Sequence, residues 1–391
     1  MYRLQQRKDG EKMSDIKTDI DWDYTLSSRL KVLKYCLLLT DTRKSQFQEA
    51  KQTISTMSEL SEKEKEKLYR AFCHDFDRHR VSFSEYFYEY RFPELTESEK
   101  DEFISKWDYE AILKKYHCIN PEQKKITGKK DVFLKEYKEF IHRKWLFVDK
   151  NTERERIQEL LDSVDTIVKP RDSCGGKGVY KIKRGEGNAQ DILDGHLPVM
   201  LEECIYNAPE IAAFHPASLN TARVTTISNG KEVLFLGACF RTGNNNSVCD
   251  NASSGGFLAE IDIETGRLIS DGISKEGRTV AIHPISGKKF FGFQFPMWDE
   301  VKTTCIKAAL QKKSFMIGWD IAVTPNGVEI IEANSVPNIF VGHQVPLHKG
   351  IKKHFYSQMD ALHLEYRDVI RMVNLTNNWG CRTLFEVIRK H

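Results

Sequence analysis

Apolar residues recur at helical spacing from Tyr24 to about Ile119, and this stretch predicts a set of packed helices. Two helix starts are marked within it. Ser61-Glu-Lys-Glu64 and Thr96-Glu-Ser-Glu99 both read as capping boxes, in which a hydroxyl and a carboxylate take backbone N–H groups that a first helical turn leaves without partners. Phe83, Tyr86, Phe87 and Tyr90 follow the same period and predict a packed helix face in preference to a ligand box. His74 and His79, five apart, do not share a helix face and predict no metal site.

Helical texture continues from Lys130 to about Arg143, followed by a short apolar stretch, Trp145 to Val148. Beyond Asp165 the pattern shortens to β-rich runs bounded by Gly, Asn and Pro: TIVKP, GVYKIK, PVMLEECI, ARVTTI, VLFLGACF, FLAEIDI and IAVTPNGVEIIEAN. Helices are predicted again over Asp299 to about Lys312 and from Ile351 to the C-terminus. Residues 1 to about 20 are polar and without periodicity and predict a disordered tail.

Composition narrows the class. The 391 residues are 40% hydrophobic and 29% charged with a net charge of +3, which gives no whole-chain case for nucleic-acid binding. The N-terminus lacks the apolar core of a signal peptide, and the run around Val32 to Leu39 is interrupted by Lys34 and too short to cross a bilayer. Nine cysteines without a CxxC pair fit reduced thiols, so the expectation is a cytoplasmic protein with no transmembrane segment.

Two segments carry chemistry. Asp172-Ser-Cys-Gly-Gly-Lys-Gly178 joins two strands; Gly175, Gly176 and Gly178 let backbone N–H groups approach an anion, and Lys169 and Lys177 add charge. It is not a Walker-type P-loop, which runs from strand into helix. An ordinary hairpin turn is the competing reading. The second segment, Trp319 to Asn334, reads as a hairpin around Thr324-Pro-Asn-Gly327. A three-residue loop pairs Asp320 with Glu332 and Gly318 with Asn334, and the strand period of two brings the three polar groups to one face, whereas a two-residue loop would put Asp320 opposite Ala333 and split the set. Ile321, Val323 and Ile331 then face the core. Two carboxylates and an amide oxygen form a hard donor set suited to Mg²⁺.

A lysine-bearing strand, a strand-to-strand glycine flap, a strand ending in Glu-Glu and a late Asp…Glu-x-Asn hairpin together resemble the ATP-grasp superfamily. IVKPRDSCGGKGV, HPASLNTARVTT, HPISGKKFFG and GWDIAV…EIIEAN resemble more narrowly the sugar-transfer-associated ATP-grasp proteins of polysaccharide gene clusters. The resemblance spans roughly residues 80 to 350. It implies an α+β fold, with two subdomains gripping ATP between antiparallel sheets, here behind a helical N-terminal region. The implied divisions are a tail (1–20), a helical region (21–125), an ATP-grasp domain (126–350, its halves meeting near 205) and a C-terminal helical segment (351–391).

The resemblance also implies roles. Lys169, Gly175, Gly176, Lys177 and Gly178 would hold ATP phosphates, and Lys130 is the earlier nucleotide-contacting lysine. Glu202 and Glu203 occupy the adenine-reading hinge, and Glu210 the ribose-gripping position. Asp320, Glu332 and Asn334 are metal ligands for Mg²⁺, with Mn²⁺ as an alternative. Arg223 and Arg241 are candidates to neutralise the transferring phosphoryl group, with an ordinary surface charge as the alternative for each. Asp250-Asn251 and His283-Pro-Ile-Ser-Gly287 are candidates for the acceptor side, with turn formation as the alternative. The implied reaction activates a small-molecule or sugar-linked carboxylate as an acyl phosphate and joins it to an amine, in polysaccharide modification. A kinase on the same scaffold and a nucleotide-binding scaffold protein are the rivals. Two positions depart from the family pattern: Gly318 stands where many such ligases have Arg, and helices replace the usual α/β substrate domain.

Overall fold

The computed structural model describes residues 24–41, 43–172, 178–244, 255–274, 277–338 and 343–375. The tail at 1–20, Gly175, Gly176, Lys177 and Asp250-Asn251 lie outside the described residues.

The chain begins as a helical body: α1 (Leu26–Asp41), α2 (Arg43–Ser55), α3 (Glu62–His79), a π-helical turn (Glu85–Glu89), α4 (Glu97–Lys100) and α5 (Lys106–Ile119). Both capping boxes form as read. Ser61 and Thr96 accept from the backbone of Glu64 and Glu99, whose carboxylates accept in return from the cap N–H groups at 2.8 Å each. Phe83, Tyr86 and Tyr90 are buried in this body's core, the first two edge-on to Phe72 and Tyr90 tilted against Phe92 and Phe103. They form a packed face.

Next come α6 (Pro121–Thr127) and α7 (Lys130–Glu136). The predicted run to Arg143 stops early, at a 3₁₀ turn over Lys138–Phe140, which frees Arg143 to sit between the sheets. The short apolar stretch is strand β1 (Trp145–Val148), and α8 (Arg154–Ser163) follows, a helix the reading missed. No side chain caps its start, but Ile157, Leu160 and Leu161 are buried. At about 1.5–3 kcal/mol each, three such residues outweigh an absent cap.

The strands fall largely where the short runs predict: β2 (Thr166–Pro170), β3 (Tyr180–Ile182), β4 (Val199–Glu203), β5 (Thr221–Ser228), β6 (Val233–Thr242), β7 (Phe257–Ile261), β10 (Met316–Thr324) and β11 (Gly327–Asn334). Short β8 (Gly272–Ser274) and β9 (Thr279–Val280) complete them, with helices α9 (Ala189–Leu193), α10 (Pro209–Ala212), α11 (Trp298–Gln311), α12 (Val345–Leu347) and α13 (Lys352–Ala361). The C-terminal helix is broken: after α13 the chain turns at Leu362 and His363 and resumes as helix over 367–375. His363 adopts φ 54° at that break.

Among the described residues the strands make two antiparallel sheets, one ordered β1-β4-β2-β3 and the other β11-β10-β5-β6-β7-β8-β9. The expected α+β class, with a helical N-terminal region, is what the chain adopts. Alternation along the larger sheet assigns its faces. Ala222, Val224, Ala238, Phe240, Ile317, Trp319 and Ile321 turn to one apolar core together with α11. The other face is split. At one end Ile227, Leu236 and Met316 join the core of the helical body; at the other end Arg223, Arg241 and Asp320 face the smaller sheet across a cavity.

Candidate active site between the sheets

The acidic hairpin has the predicted pairing, Asp320 opposite Glu332 and Gly318 opposite Asn334, but reaches it by another route. Thr324 pairs with Gly327, so the loop is Pro325-Asn326 alone. Thr324 Oγ1 closes it, accepting from Asn326 N at 3.1 Å and donating to Gly327 O at 3.0 Å. The register then shifts between Asp320 and Ile321, leaving Ile331 unpaired in a β-bulge. The bulge decides which acids share a face. Three positions apart, Glu329 and Glu332 would point to opposite sides of a regular strand. With one residue bulged out, both lie on the cleft side. Ile331, expected in the core, lines the cavity instead.

Asp320 stands opposite Arg223 of β5. The Arg223 guanidinium grips both carboxylate oxygens, Nη2 donating to Oδ2 at 2.9 Å and Nε to Oδ1. Arg241 of β6 donates from Nη1 to Oδ1 at 2.8 Å. Burial acts to raise the Asp320 pKa, but the two guanidinium groups overcome it and hold the carboxyl below its ordinary value. Glu332 goes the other way. Burial and the neighbouring Asp320 charge push it up, against Arg223, Lys130 and Lys169.

The smaller sheet supplies the facing wall. Lys169 of β2 places Nζ 3.0 Å from Glu202 Oε2, and the same oxygen accepts from Arg143 Nε at 2.7 Å. Burial alone would raise the Glu202 pKa, but Lys169 and Arg143 lower it to about 2. Lys130, at the start of α7, donates to the carbonyl of Arg171 at 3.2 Å; burial, with Lys169 nearby, depresses its pKa against the pull of Glu332 and Glu202.

Arg143, which the sequence reading missed, ties the walls together. Its Nη1 donates to Glu329 Oε1 at 2.7 Å and to Ile330 O at 3.0 Å, and Nη2 to Ile331 O at 3.1 Å. Its acidic partners lie 59 and 186 residues away in sequence, so no local pattern marks it. A second missed group stands at the cavity mouth, where Lys181 Nζ donates to Tyr206 Oη at 2.7 Å and Tyr206 Oη donates to Asp165 at 2.5 Å.

The cavity between the walls measures about 480 Å³. It brings together Lys130, Lys169, Glu202 and Glu203 from one side and Arg223, Arg241, Asp320, Glu332 and Asn334 from the other. Not every expected residue is there. Glu210 is exposed on α10 and is not among the cavity-lining residues, although Ala212 of the same helix is. Gly178 takes φ 73°, as a glycine can, just before the wall residues Val179 and Tyr180. Glu202 gives one carboxylate oxygen, Oε2, to both Lys169 and Arg143. His283 is buried, its Nε2 on Gly243 O at 2.9 Å and its Nδ1 accepting from the N–H groups of Ile285 and Ser286. It organises a turn.

The helical body frames the hairpin. Gln123 of α6 holds Met316 O at 2.7 Å and Phe315 N at 2.9 Å, while Tyr109 and His117 of α5 contact the carbonyls of Pro337 and Ser335 just past Asn334. In that body Asp75, His79 and Glu97 also converge, with ligand atoms within 4.8 Å. Lys100 Nζ already fills the spot, 2.8 Å from Asp75 and 2.9 Å from Glu97.

Residues 190–359 match the model of the family described as sugar-transfer associated ATP-grasp. The ATP-grasp resemblance holds there. No curated protein matches the chain. Among solved structures, the ATP-grasp ligase PsnB complexed with minimal precursor, Mg and ADP is similar at 17% identity with a TM-score of 0.39, covering 63% of this chain and 61% of that one. The match thus spans less than two thirds of that ligase. The D-alanyl-alanine synthetase A of Vibrio cholerae O1 biovar eltor is similar at 12% identity with a TM-score of 0.40, over 70% and 74% of the two chains. D-alanine–D-alanine ligase from Bacillus anthracis follows at 14% and 0.34, over 64% and 67%. The family match begins at residue 190 and therefore omits Lys130 and Lys169; the cavity is what joins them to the matched segment. Among the described residues no helix is long and apolar enough to cross a membrane.

Proposed function

We propose that the chain is an ATP-dependent ligase that activates a carboxylate as an acyl phosphate and joins it to an amine, in the cytoplasm and in the service of polysaccharide modification. One observation carries the reading: Asp320, Glu332 and Asn334 face Lys130 and Lys169 across a single cavity of about 480 Å³. Two carboxylates and an amide oxygen fit Mg²⁺ or Mn²⁺, which also take phosphate oxygens. When bound, the ion supplies charge neutralisation to the phosphates.

The residues divide the remaining work. Lys130 and Lys169 hold phosphate oxygens, and Glu202 keeps Lys169 aimed by pairing with it at 3.0 Å. With Glu202 so engaged, the adenine edge is read by the backbone around Glu203 to Ile205, which lines the cavity. Arg223 and Arg241, both on Asp320 in this structure, turn their guanidinium donors to the phosphoryl group as the carboxylate attacks it. Transfer then needs positioning and charge more than a protein nucleophile. Glu210 has no part in this account.

Incubation with ATP, Mg²⁺, hydroxylamine and a panel of sugar acids and amino acids tests it. A hydroxamate with stoichiometric ADP is the expected product. ADP with a phosphorylated alcohol and no hydroxamate would make the protein a kinase; tight AMPPNP binding with no ADP from any donor would make it a scaffold.

A further inference from the structure

One row of the larger sheet continues past the site. Register places Glu332, Asp320, Arg223, Cys239 and Glu260 opposite one another on five successive strands, β11 to β7, so all five share a face. The site described above uses the first three. Glu260 lies directly across from Cys239 and diagonal to Arg241, whose own partner is Leu258; such a diagonal is about 7–8 Å in an antiparallel ladder. The described cavity wall ends at Arg241, and Glu260 is the next polar group along that face.

Glu260 is unusual in its surroundings. It is 6% exposed, and its Oε2 has no hydrogen-bond partner among the described residues. It faces His343, Nδ1 to Oε1 at 3.5 Å, which is 1% exposed and likewise lacks a hydrogen-bond partner at Nδ1 among the described residues. His343 is held from its far side by Thr225 Oγ1 at 3.3 Å from Nε2. The imidazole rests on Gly237, where a Cβ would meet Nδ1 at 2.6 Å. The backbone is thus cleared for this ring. Cys239, Arg241 and Arg223 face the pair from β6 and β5, and His354 of α13 stands behind His343. A buried carboxyl with one oxygen unspent is costly unless something cationic or hydrogen-bonding meets it. Burial, eased by His343, pushes the Glu260 carboxyl up to about 7, where it can exchange a proton with an incoming base.

We propose that Glu260, backed by His343, receives the ammonium group of the second substrate and takes the proton it must lose before its nitrogen attacks. The inference rests on the ligase reading. One proton passes from the ammonium to the Glu260–His343 pair. The freed nitrogen lone pair forms the bond to the acyl carbon, the carbon–oxygen bond to phosphate breaks with its electrons, and the nitrogen's surplus proton leaves with the phosphate.

The test needs no turnover. The full chain, labelled at its histidine rings, is titrated with methylammonium, and His343 is assigned by its loss in His343→Gln. A saturable shift of that resonance is expected in wild type, with a midpoint at least ten-fold higher in Glu260→Gln and intermediate in Glu260→Asp, which keeps the charge and guards against a folding defect in the first variant. Tetramethylammonium, equally charged but without N–H, should give no shift. A still wild-type resonance, an equal midpoint in Glu260→Gln, or an equal response to tetramethylammonium overturns the proposal. AMPPNP binding, measured alongside, stays within two-fold in Glu260→Gln; its absence in wild type would sink the ligase reading separately, whatever methylammonium does.

Discussion

Asp320 and Glu332 form one cross-strand pair, yet opposite fields act on their carboxyl groups, and this separates two substitutions that look alike. Asp320 neutralises two arginines. Asp320→Asn therefore strands buried guanidinium charge and is expected to cost about 3–5 kcal/mol of stability besides turnover. Glu332 carries a raised pKa and strands little when neutralised. Glu332→Gln should keep its melting temperature within a few degrees while losing about 100-fold or more in ADP release, a loss of the size seen when one preorganised electrostatic group is removed; retained turnover would remove Glu332 from the metal set. Glu202 adds a pH signature. Its folded pKa of about 2 lies below the ordinary 4.5, so the stability it contributes is complete above 4.5 and drains away as pH falls toward 2. Urea midpoints between pH 5 and 3 should fall less steeply in Glu202→Gln than in wild type. At this scale the sequence showed residue type and little about partners. It marked Asp320, Glu332, Asn334 and Lys169, but the arginine clamp on Asp320 arises from strand order, and Arg143 from contacts 59 and 186 residues distant.

Elements were legible where their signals are local. Both capping boxes, the aromatic face and the principal strand runs stand where periodicity and turn residues put them. The hairpin pairing came out right through two compensating differences, a shorter loop and a bulge. A bulge leaves no mark in a strand of Ile, Glu and Val, since it answers to what the face must meet: here Glu329 must reach Arg143. That bond and its neighbours make Arg143 the joint between β4 and β11. Arg143→Met is expected to leave Glu329 as an uncompensated buried charge and Glu202 with Lys169 alone, to lower stability by about 3–5 kcal/mol, and to weaken AMPPNP binding as Glu202, which aims Lys169, loses its second hold. Differential scanning fluorimetry with and without AMPPNP reads both effects; full nucleotide affinity in a destabilised variant would confine Arg143 to a structural role.

For the whole molecule, the helical N-terminal body is part of the machine. It shares one core with Ile227, Leu236 and Met316 of the larger sheet and the adjoining Phe315, and α5 and α6 hold both chain ends of the acidic hairpin. A chain starting at Pro121 would bare that face, so residues 121–391 expressed alone should be insoluble or unfold without cooperativity by circular dichroism; a soluble, nucleotide-binding fragment would refute this. Composition could not announce such sharing, because helices that cover a sheet and helices that cover only each other have the same period. Arg143 adds a last consequence for how the gap between the sheets can widen. It rivets one corner, while β3, which among the described residues pairs with no strand but β2, forms the margin at the other edge of the smaller sheet. A jaw riveted at one corner can only gape at the other, so traffic in and out must pass beside Tyr180, Lys181 and Tyr206.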